Sequence, residues 1–305
     1  MSTALASGCK ALLTLSDSAI HVRPKQGPPC GKAVEKMQVI GLCRFSYPGE
    51  GGFQVEHASI EERIAYLYAP ERMEARLAQF EAIALPGLKA QTDPDFTFII
   101  VIGDSLPDIW RARLMDLIAD FPQAQVQEHP PGPHRQVMRT AINAARGDIQ
   151  APCLQFRHDD DDAVAVDFVE RLRGAAEANA QLIADNRLVA IDFERGFSAR
   201  PGPGGVEAAD CKLSLYGVAL GMSVRGGVQQ TIMNFAHKKM GQFMPVLRFD
   251  DSPMFVRGHN DHNDSRQKAG VAPLHLSPLD DARRRVFEER FAIREDDVKR
   301  IFGAL

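Results

Sequence analysis

Phe96 to Ile102 reads FTFIIVI, seven residues without a charge or a chain-breaking residue. A strand with one wet face alternates apolar and polar side chains, so a continuous apolar run marks a strand buried on both faces. Such a strand needs a layer of structure above and below it. The rest of the chain supplies candidates in alternation. Gln38 to Phe45 and Leu188 to Phe193 are further β-rich apolar runs, and Ala124 to Glu128 and Gln150 to Phe156 are shorter strand candidates. Between them, Pro70 to Ala84 places Met73, Leu77, Phe80 and Ile83 at helical spacing, with Arg72, Arg76 and Glu81 on its other faces. Pro107 to Asp120, His134 to Ala145 and Ala163 to Ala178 also read as helices, and Ser59 with Glu62 forms a capping-box pattern. Strand and helix in alternation predict an α/β fold around a mostly parallel sheet flanked by helices.

The pattern changes after Glu194. Arg200 to Gly205 reads as a loop, and Cys211 to Val224 alternates like antiparallel strands. Gln229 to Lys238 reads as a short helix, and Val246 to Val256 holds two short strands around Asp250-Asp251-Ser252. Two charged helices close the chain, over 279–291 and 294–302. The expected organisation is a nucleotide-binding half over about 37–193 and a C-terminal α+β acceptor half over 194–305. Residues 1–36 differ in composition from the rest of the chain and are expected to form a poorly ordered extension, with a docked tail as the alternative.

Composition narrows the function. In 305 residues the net charge is −4, which gives no general reason to expect a nucleic-acid partner. The apolar runs are too short to span a bilayer, which leaves peripheral membrane contact open. The five cysteines form no CxxC pair, so neither a zinc site nor a disulfide framework is suggested. That usage, and an N-terminal apolar stretch too short for a signal peptide, fit a cytoplasmic protein.

One motif carries chemistry. Asp159 to Asp162 is a run of four aspartates between the strand candidate ending at Phe156 and the helix expected from Ala163. Adjacent carboxylates repel one another, and a bound hard cation relieves that cost. In open α/β sheets, ligands bind just beyond the carboxyl ends of strands, which is where this run lies. The run therefore reads as a Mg²⁺ or Mn²⁺ site for a diphosphate; the bland alternative is a solvated turn whose last aspartate caps a helix.

The stretch TAINAARGDIQAPCLQFRHDDDD, from Thr140 to Asp162, resembles the part of GT-A glycosyltransferases where an Asn-bearing helix, a Gly-Asp turn and a strand lead into a DxD motif. With MQVIGLCRFSYPGEGGF, RMEARLAQFEAIALPGLKAQTDPDF and the late polar segment HNDHNDSR, the chain is similar to a bacterial rhamnosyltransferase family over roughly residues 37–300. The resemblance implies a GT-A-like, Rossmann-type fold and a metal-dependent enzyme. It would move a sugar, rhamnose among the candidates, from a nucleotide-sugar donor to a carbohydrate or other hydroxyl acceptor. Asp159 and Asp161 would then contact the metal, with Asp160 beside the donor; a register using Asp160 and Asp162 stays open. Arg44 and Phe45 lie at the end of the first strand, where such folds bind the base, and Asp104 ends another strand and could meet a base edge. Arg139 and Asn143 share a helix face and could hold phosphate or nucleotide. Asp250 or Asp251 could be the base that takes the acceptor proton. His259 or His262 could add a late metal ligand, and His237-Lys238-Lys239 could neutralise the leaving diphosphate or simply end a solvated helix. Two rival functions remain at this level: a metal-dependent nucleotidyltransferase or phosphohydrolase, and a non-catalytic carbohydrate- or cation-binding module.

Overall fold

The structure is a computed structural model, and it describes residues 20–21, 36–51, 57–259 and 275–305. Thirteen strands are described, in chain order: β1 (Ile20–His21), β2 (Gln38–Arg44), β3 (Thr97–Gly103), β4 (Ala124–His129), β5 (Cys153–His158), β6 (Ala163–Val164), β7 (Leu188–Phe193), β8 (Arg195–Gly202), β9 (Gly205–Lys212), β10 (Leu220–Val224), β11 (Val246–Phe249), β12 (Phe255–Gly258) and β13 (Ser277–Pro278). Eight of them form one sheet in the order β1-β11-β7-β10-β5-β2-β3-β4. All its neighbours are parallel except around β10, which runs antiparallel to both β5 and β7. The expected α/β class and mostly parallel sheet are what the chain forms.

The apolar runs are buried on both faces, as their composition requires. On one face Phe98, Ile100, Leu154 and Phe156 pack with Met73, Leu77, Phe80 and Phe168. On the other, Ile99, Val101, Ile40 and Leu42 pack with Met138, Ala141 and Ile142. Strand β2 lies between β3 and β5, all three parallel, so the order of the chain reverses at β2 and β5. Loops leaving these two strands diverge, and a crevice opens between their carboxyl ends. Arg44 ends β2, His158 ends β5, and the aspartate run starts at the next residue.

A second sheet, β13-β9-β8-β12-β6, backs that crevice. Here the helix expected over Ala163–Ala178 needs correction. Ala163–Val164 is a strand, antiparallel to β12, and the helix starts only at Phe168. The apolar period is real, but β12 supplies a pairing edge that a local pattern cannot see. The Pro70–Gln79 helix continues through a π-helical turn, Phe80–Ala84, into Leu85–Lys89, despite Pro86. Gly87 in that last segment lies against β6: a Cβ there would meet the Val164 carbonyl oxygen at 2.3 Å. Gln91 fastens the same place by donating to the Ala165 carbonyl at 2.7 Å. The segment beyond the aspartates is therefore held by backbone contacts from two directions.

Other expectations shift. The loop read at Arg200–Gly205 is the tip of the β8–β9 hairpin. The alternation over Cys211–Val224 splits between the end of β9 and β10, which belong to different sheets. Gln229–Lys238 forms two short 3₁₀ turns, Ile232–Asn234 and His237–Gln242, in place of a helix. The C-terminal helices are Asp281–Phe291 and Glu295–Phe302. Of the 1–36 extension, Ile20–His21 pairs with β11 at the sheet edge, and the rest up to residue 35 lies outside the described residues. No helix among the described residues is long and apolar enough to cross a membrane.

Candidate active site

A cleft of about 340 Å³ opens where the chain order reverses. Its lining includes all four aspartates and six arginines: Arg44, Arg72, Arg76, Arg135, Arg157 and Arg257. A chain with net charge −4 thus concentrates positive charge in one concave place. Field lines focus in such clefts, and guanidinium groups match phosphate oxygens in geometry as well as charge.

The four aspartates are not equivalent. Asp160 Oδ1 accepts a hydrogen bond from Arg76 Nη1 at 2.7 Å, with both side chains almost fully buried. Asp161 lies 3.6 Å from the same guanidinium. Asp162 Oδ1 accepts from the Gly258 amide at 3.0 Å, so it caps β12 and not a helix. Burial, with Asp161 and Asp159 adding repulsion, pushes the Asp162 carboxyl well above the carboxylate range. Burial also raises Asp160, against the pull of Arg76. Asp159 differs: burial acts upward on it too, but Arg157 and Arg44 outweigh that and hold it below its ordinary value. Its side chain keeps 48% of its surface open, and Arg157 Nη2 stands 3.8 Å away. One ionised, accessible carboxylate therefore faces the cleft, with three others fixed behind or beside it.

These features suit a divalent cation in one specific way. Among the described residues, no three His, Cys, Asp or Glu side chains converge as a protein-only cage. Mg²⁺ seldom uses such a cage; one or two carboxylates hold it, and water and substrate phosphates complete its octahedron. Asp159 is the carboxylate of the run that is open to such a cation, and Asp161 lies in the same cleft, nearly buried beside Arg76.

The basic wall is itself ordered by the protein. Arg72 Nη1 donates to Ser46 Oγ and to the Leu67 carbonyl, each at 3.2 Å, and its guanidinium sits over the Tyr66 ring. Arg44 Nη1 donates to His134 Nε2 at 3.1 Å. Burial, then Arg44, drives the His134 pKa down to about 3, so this imidazole stays a neutral acceptor. Burial takes His158 down to about 4, and its ring packs edge-on to Phe98.

The structure separates the residues singled out in the sequence. Arg44, Asp159, Asp160 and Asp161 come together in the cleft. Phe45 does not reach it: the ring is fully buried and packs on Phe80 at 5.4 Å, so it supports the core and cannot stack on a base. Asp104 and Arg139 are exposed outside the cleft lining. Asn143 donates to the Gln229 carbonyl at 2.9 Å and so holds a loop. The assignment of a base to Asp250 or Asp251 is corrected. Neither lines the cleft; Asp250 pairs with Lys212 at 2.7 Å, and Asp251 receives Arg171 Nη2 on both oxygens, at 2.7 and 2.8 Å. His259 succeeds β12 outside the lining, its amide donating to the Ala199 carbonyl, and His262 lies outside the described residues.

Sequence reasoning missed most of the arginines, together with His134 and His158. Arg72 and Arg76 stand four apart in the first long helix, and that shared face was the available signal. In the sequence, His237 stands out only as part of a basic cluster.

Gly258 gives a direct test of how the aspartate loop is held. A Cβ there would lie 2.2 Å from the Asp161 carbonyl oxygen, a backbone atom that cannot swing aside. Gly258→Ala is expected to cost about 1–3 kcal/mol in urea unfolding, as overpacking does, and to weaken nucleotide binding measured calorimetrically. Gly174→Ala, at a helix position with nothing within 4 Å, serves as the control and should not destabilise. Equal behaviour of the two variants would show that the close approach is not needed.

A protein family described as "Putative rhamnosyl transferase" matches residues 38–272. No curated protein matched the chain. Among solved structures, S. aureus TarS 1-349 in complex with UDP-GlcNAc aligns with TM-score 0.40 and 8% identity, over 75% of this chain and 60% of that one. The same TarS fragment in complex with UDP gives TM-score 0.39 and 9% identity, over 73% and 60%. The chain thus spans less than two thirds of these neighbours, and nothing about activity follows from likeness at this level. The family match spans most of the chain and contains the whole cleft, and the protein belongs to this rhamnosyl transferase family.

Proposed function

We propose that the protein transfers a sugar, rhamnose by its family's description, from a nucleotide-sugar donor to a hydroxyl acceptor, with Mg²⁺ or Mn²⁺ as cofactor. The observation that carries this reading is the cleft itself, in which six arginines surround one accessible ionised aspartate at the point where the strand order reverses. A nucleoside diphosphate carries about two to three negative charges on adjacent phosphates and needs compensation on several sides. Arg44, Arg157 and Arg257 supply it from three different strands. Asp159 and Asp161 would hold the divalent ion, which supplies Lewis-acid stabilisation of the leaving diphosphate when bound. Arg76 holds Asp160 and stands 3.6 Å from Asp161, so it would brace the aspartate run behind the ion. The transfer passes through an oxocarbenium-like state at the anomeric carbon, so the chain's task is to orient the donor, exclude water and stabilise departing charge.

The test is a thermal-shift panel of UDP-, GDP- and dTDP-sugars, with and without Mn²⁺, on the wild type and Asp161→Ala. One nucleotide class is expected to stabilise the wild type by about 2.7 kcal/mol at a hundredfold excess over its Kd. Asp161→Ala should lose the Mn²⁺-dependent part of that gain. No shift with any nucleotide, with or without metal, would sink the proposal.

A further inference from the structure

A direct displacement that inverts the anomeric carbon needs a group that accepts the proton of the acceptor hydroxyl, and the carboxylates suggested by the sequence lie elsewhere. In the cleft, Tyr47 donates its hydroxyl to the Pro130 carbonyl at 2.7 Å, and burial pushes its pKa to about 12. His134 has its Nε2 engaged by Arg44. Asp160 and Asp162 are committed to Arg76 and to the Gly258 amide. His237 is arranged differently.

His237 opens the 3₁₀ turn His237–Gln242 and lines the cleft, half-buried. Its Nδ1 lies 2.5 Å from the Leu215 carbonyl oxygen. A carbonyl has no proton to give, so Nδ1 carries the hydrogen and donates it. Nε2 is then the nitrogen with the lone pair, because the partner of one ring nitrogen fixes the state of the other. This is the tautomer a proton acceptor requires, and the contact also sets the ring's orientation.

The carbonyl that selects the tautomer is itself held under strain. Leu215 has φ +50°, in the left-handed region that ordinary side chains avoid at a cost of about 1–2 kcal/mol. Gly217 and Ala219, just beyond it, have φ +105° and +47°. The Leu215 amide donates to Asp192 Oδ2 at 2.6 Å, and Asp192 is completely buried in β7. A buried Asp192 carboxyl therefore pins a strained residue, Leu215, whose carbonyl orients an imidazole in the cleft. Strain of this kind persists only where the surroundings over-determine it.

We propose that His237 is the general base of the transfer, with Asp192 and Leu215 as the positioning pair. The inference rests on the cleft being the donor site. As the acceptor oxygen bonds to the anomeric carbon, its O–H bond breaks and the proton passes to His237 Nε2. The bond from that carbon to the diphosphate oxygen breaks, and its electron pair leaves with the nucleoside diphosphate. The imidazolium then returns its proton to solvent. Burial lowers the His237 pKa below the ordinary histidine value, the Leu215 carbonyl opposes this, and Arg157 and Lys238 add to the lowering. Asp159 acts upward, and the Tyr216 ring faces the imidazole at 6.0 Å. The ring is therefore neutral and basic at about pH 7 before the donor arrives.

Two measurements on the full chain test this. In ¹⁵N–¹H correlation spectra, with His237 assigned by its loss in His237→Gln, the ring is expected as the Nδ1–H tautomer at about pH 7.5. An Nε2–H tautomer or an imidazolium there overturns the proposal. Second, His237→Gln is expected to keep UDP, GDP or dTDP affinity within about twofold in Mn²⁺. It should release nucleoside diphosphate from the nucleotide sugar, with water as acceptor, at least about 100-fold more slowly. The acid limb of the wild-type rate profile, centred below about pH 6.5, should vanish. Asp192→Asn should slow turnover less, with the His237 tautomers mixed. Loss of nucleotide affinity in step with turnover would make His237 a diphosphate ligand and overturn the assignment. If the wild type binds no nucleotide, the donor-site reading fails before any variant is made, and the base assignment falls with it.

Discussion

Arg76→Met is expected to destabilise the protein by about 3–5 kcal/mol, the usual cost of removing one partner from a buried ion pair. Asp160 would keep its buried position and lose the 2.7 Å contact that compensates it. Asp161, 3.6 Å from the same guanidinium, would lose support as well. Asp160 also sets the sign of the pH dependence. Its folded pKa is already raised by burial, with Arg76 opposing that rise. Without Arg76 it rises further. A carboxyl raised in the folded state binds more protons than in the unfolded chain, so stability falls as pH increases through that window. The deficit of Arg76→Met should therefore be smaller at about pH 5 than at about pH 8, measured by urea unfolding. Adding Asp160→Asn should recover much of the loss at the higher pH, because the uncompensated charge is gone. A deficit below about 1 kcal/mol, or no recovery in the double variant, would mean that the pair does not hold the aspartate run.

Arg76 also shows where sequence reading stops. The helix around it is legible because Met73, Leu77 and Phe80 recur at the helical period, and that period survives in the structure as buried core. Arg72 and Arg76 fall off the apolar stripe, so a helical wheel assigns them to solvent. Both are in fact buried, because aspartates and a serine from the loops after β5 and β2 cover that side of the helix. Charge partners 84 residues apart leave no trace in a local window. The strands behave the opposite way. FTFIIVI and LVAIDF announce burial on both faces from composition alone, and both form strands inside the large sheet. What they cannot announce is order: β10 inserts antiparallel between β5 and β7, so the expected acceptor half contributes strands to the nucleotide half's sheet. Asp250 and Asp251 are attractive as bases because they interrupt an apolar stretch. Arg171 and Lys212, which occupy them, are again distant in the chain. The aspartate run is legible because four adjacent carboxylates need a reason wherever they fold, but their division of labour depends on β12 and Arg76.

That division of labour leads to a prediction whose sign depends on metal. Asp159→Asn is expected to lower nucleoside diphosphate affinity in Mn²⁺ on the order of 100-fold, and to raise it severalfold in EDTA. With the cation present, Asp159 would be the accessible charge that anchors it; a full charge at contact distance is worth about 4 kcal/mol at an effective dielectric of about 20, of which solvent exposure removes a part. Without the cation, the same carboxylate is a like charge facing the phosphates. It also holds Arg157, 3.8 Å away, which the neutral amide would release toward the ligand. Calorimetric titration of both proteins, with Mn²⁺ and with EDTA, reads the two signs separately. The opposite register, with Asp160 and Asp162 as ligands, predicts that Asp159→Asn leaves the Mn²⁺-dependent affinity intact. In that register each ligand would already accept one hydrogen bond on Oδ1, Asp160 from Arg76 and Asp162 from the Gly258 amide. A purely arginine-based clamp predicts a rise in affinity under both conditions. Only a cation shared between Asp159 and the donor makes one substitution harmful with metal and helpful without it.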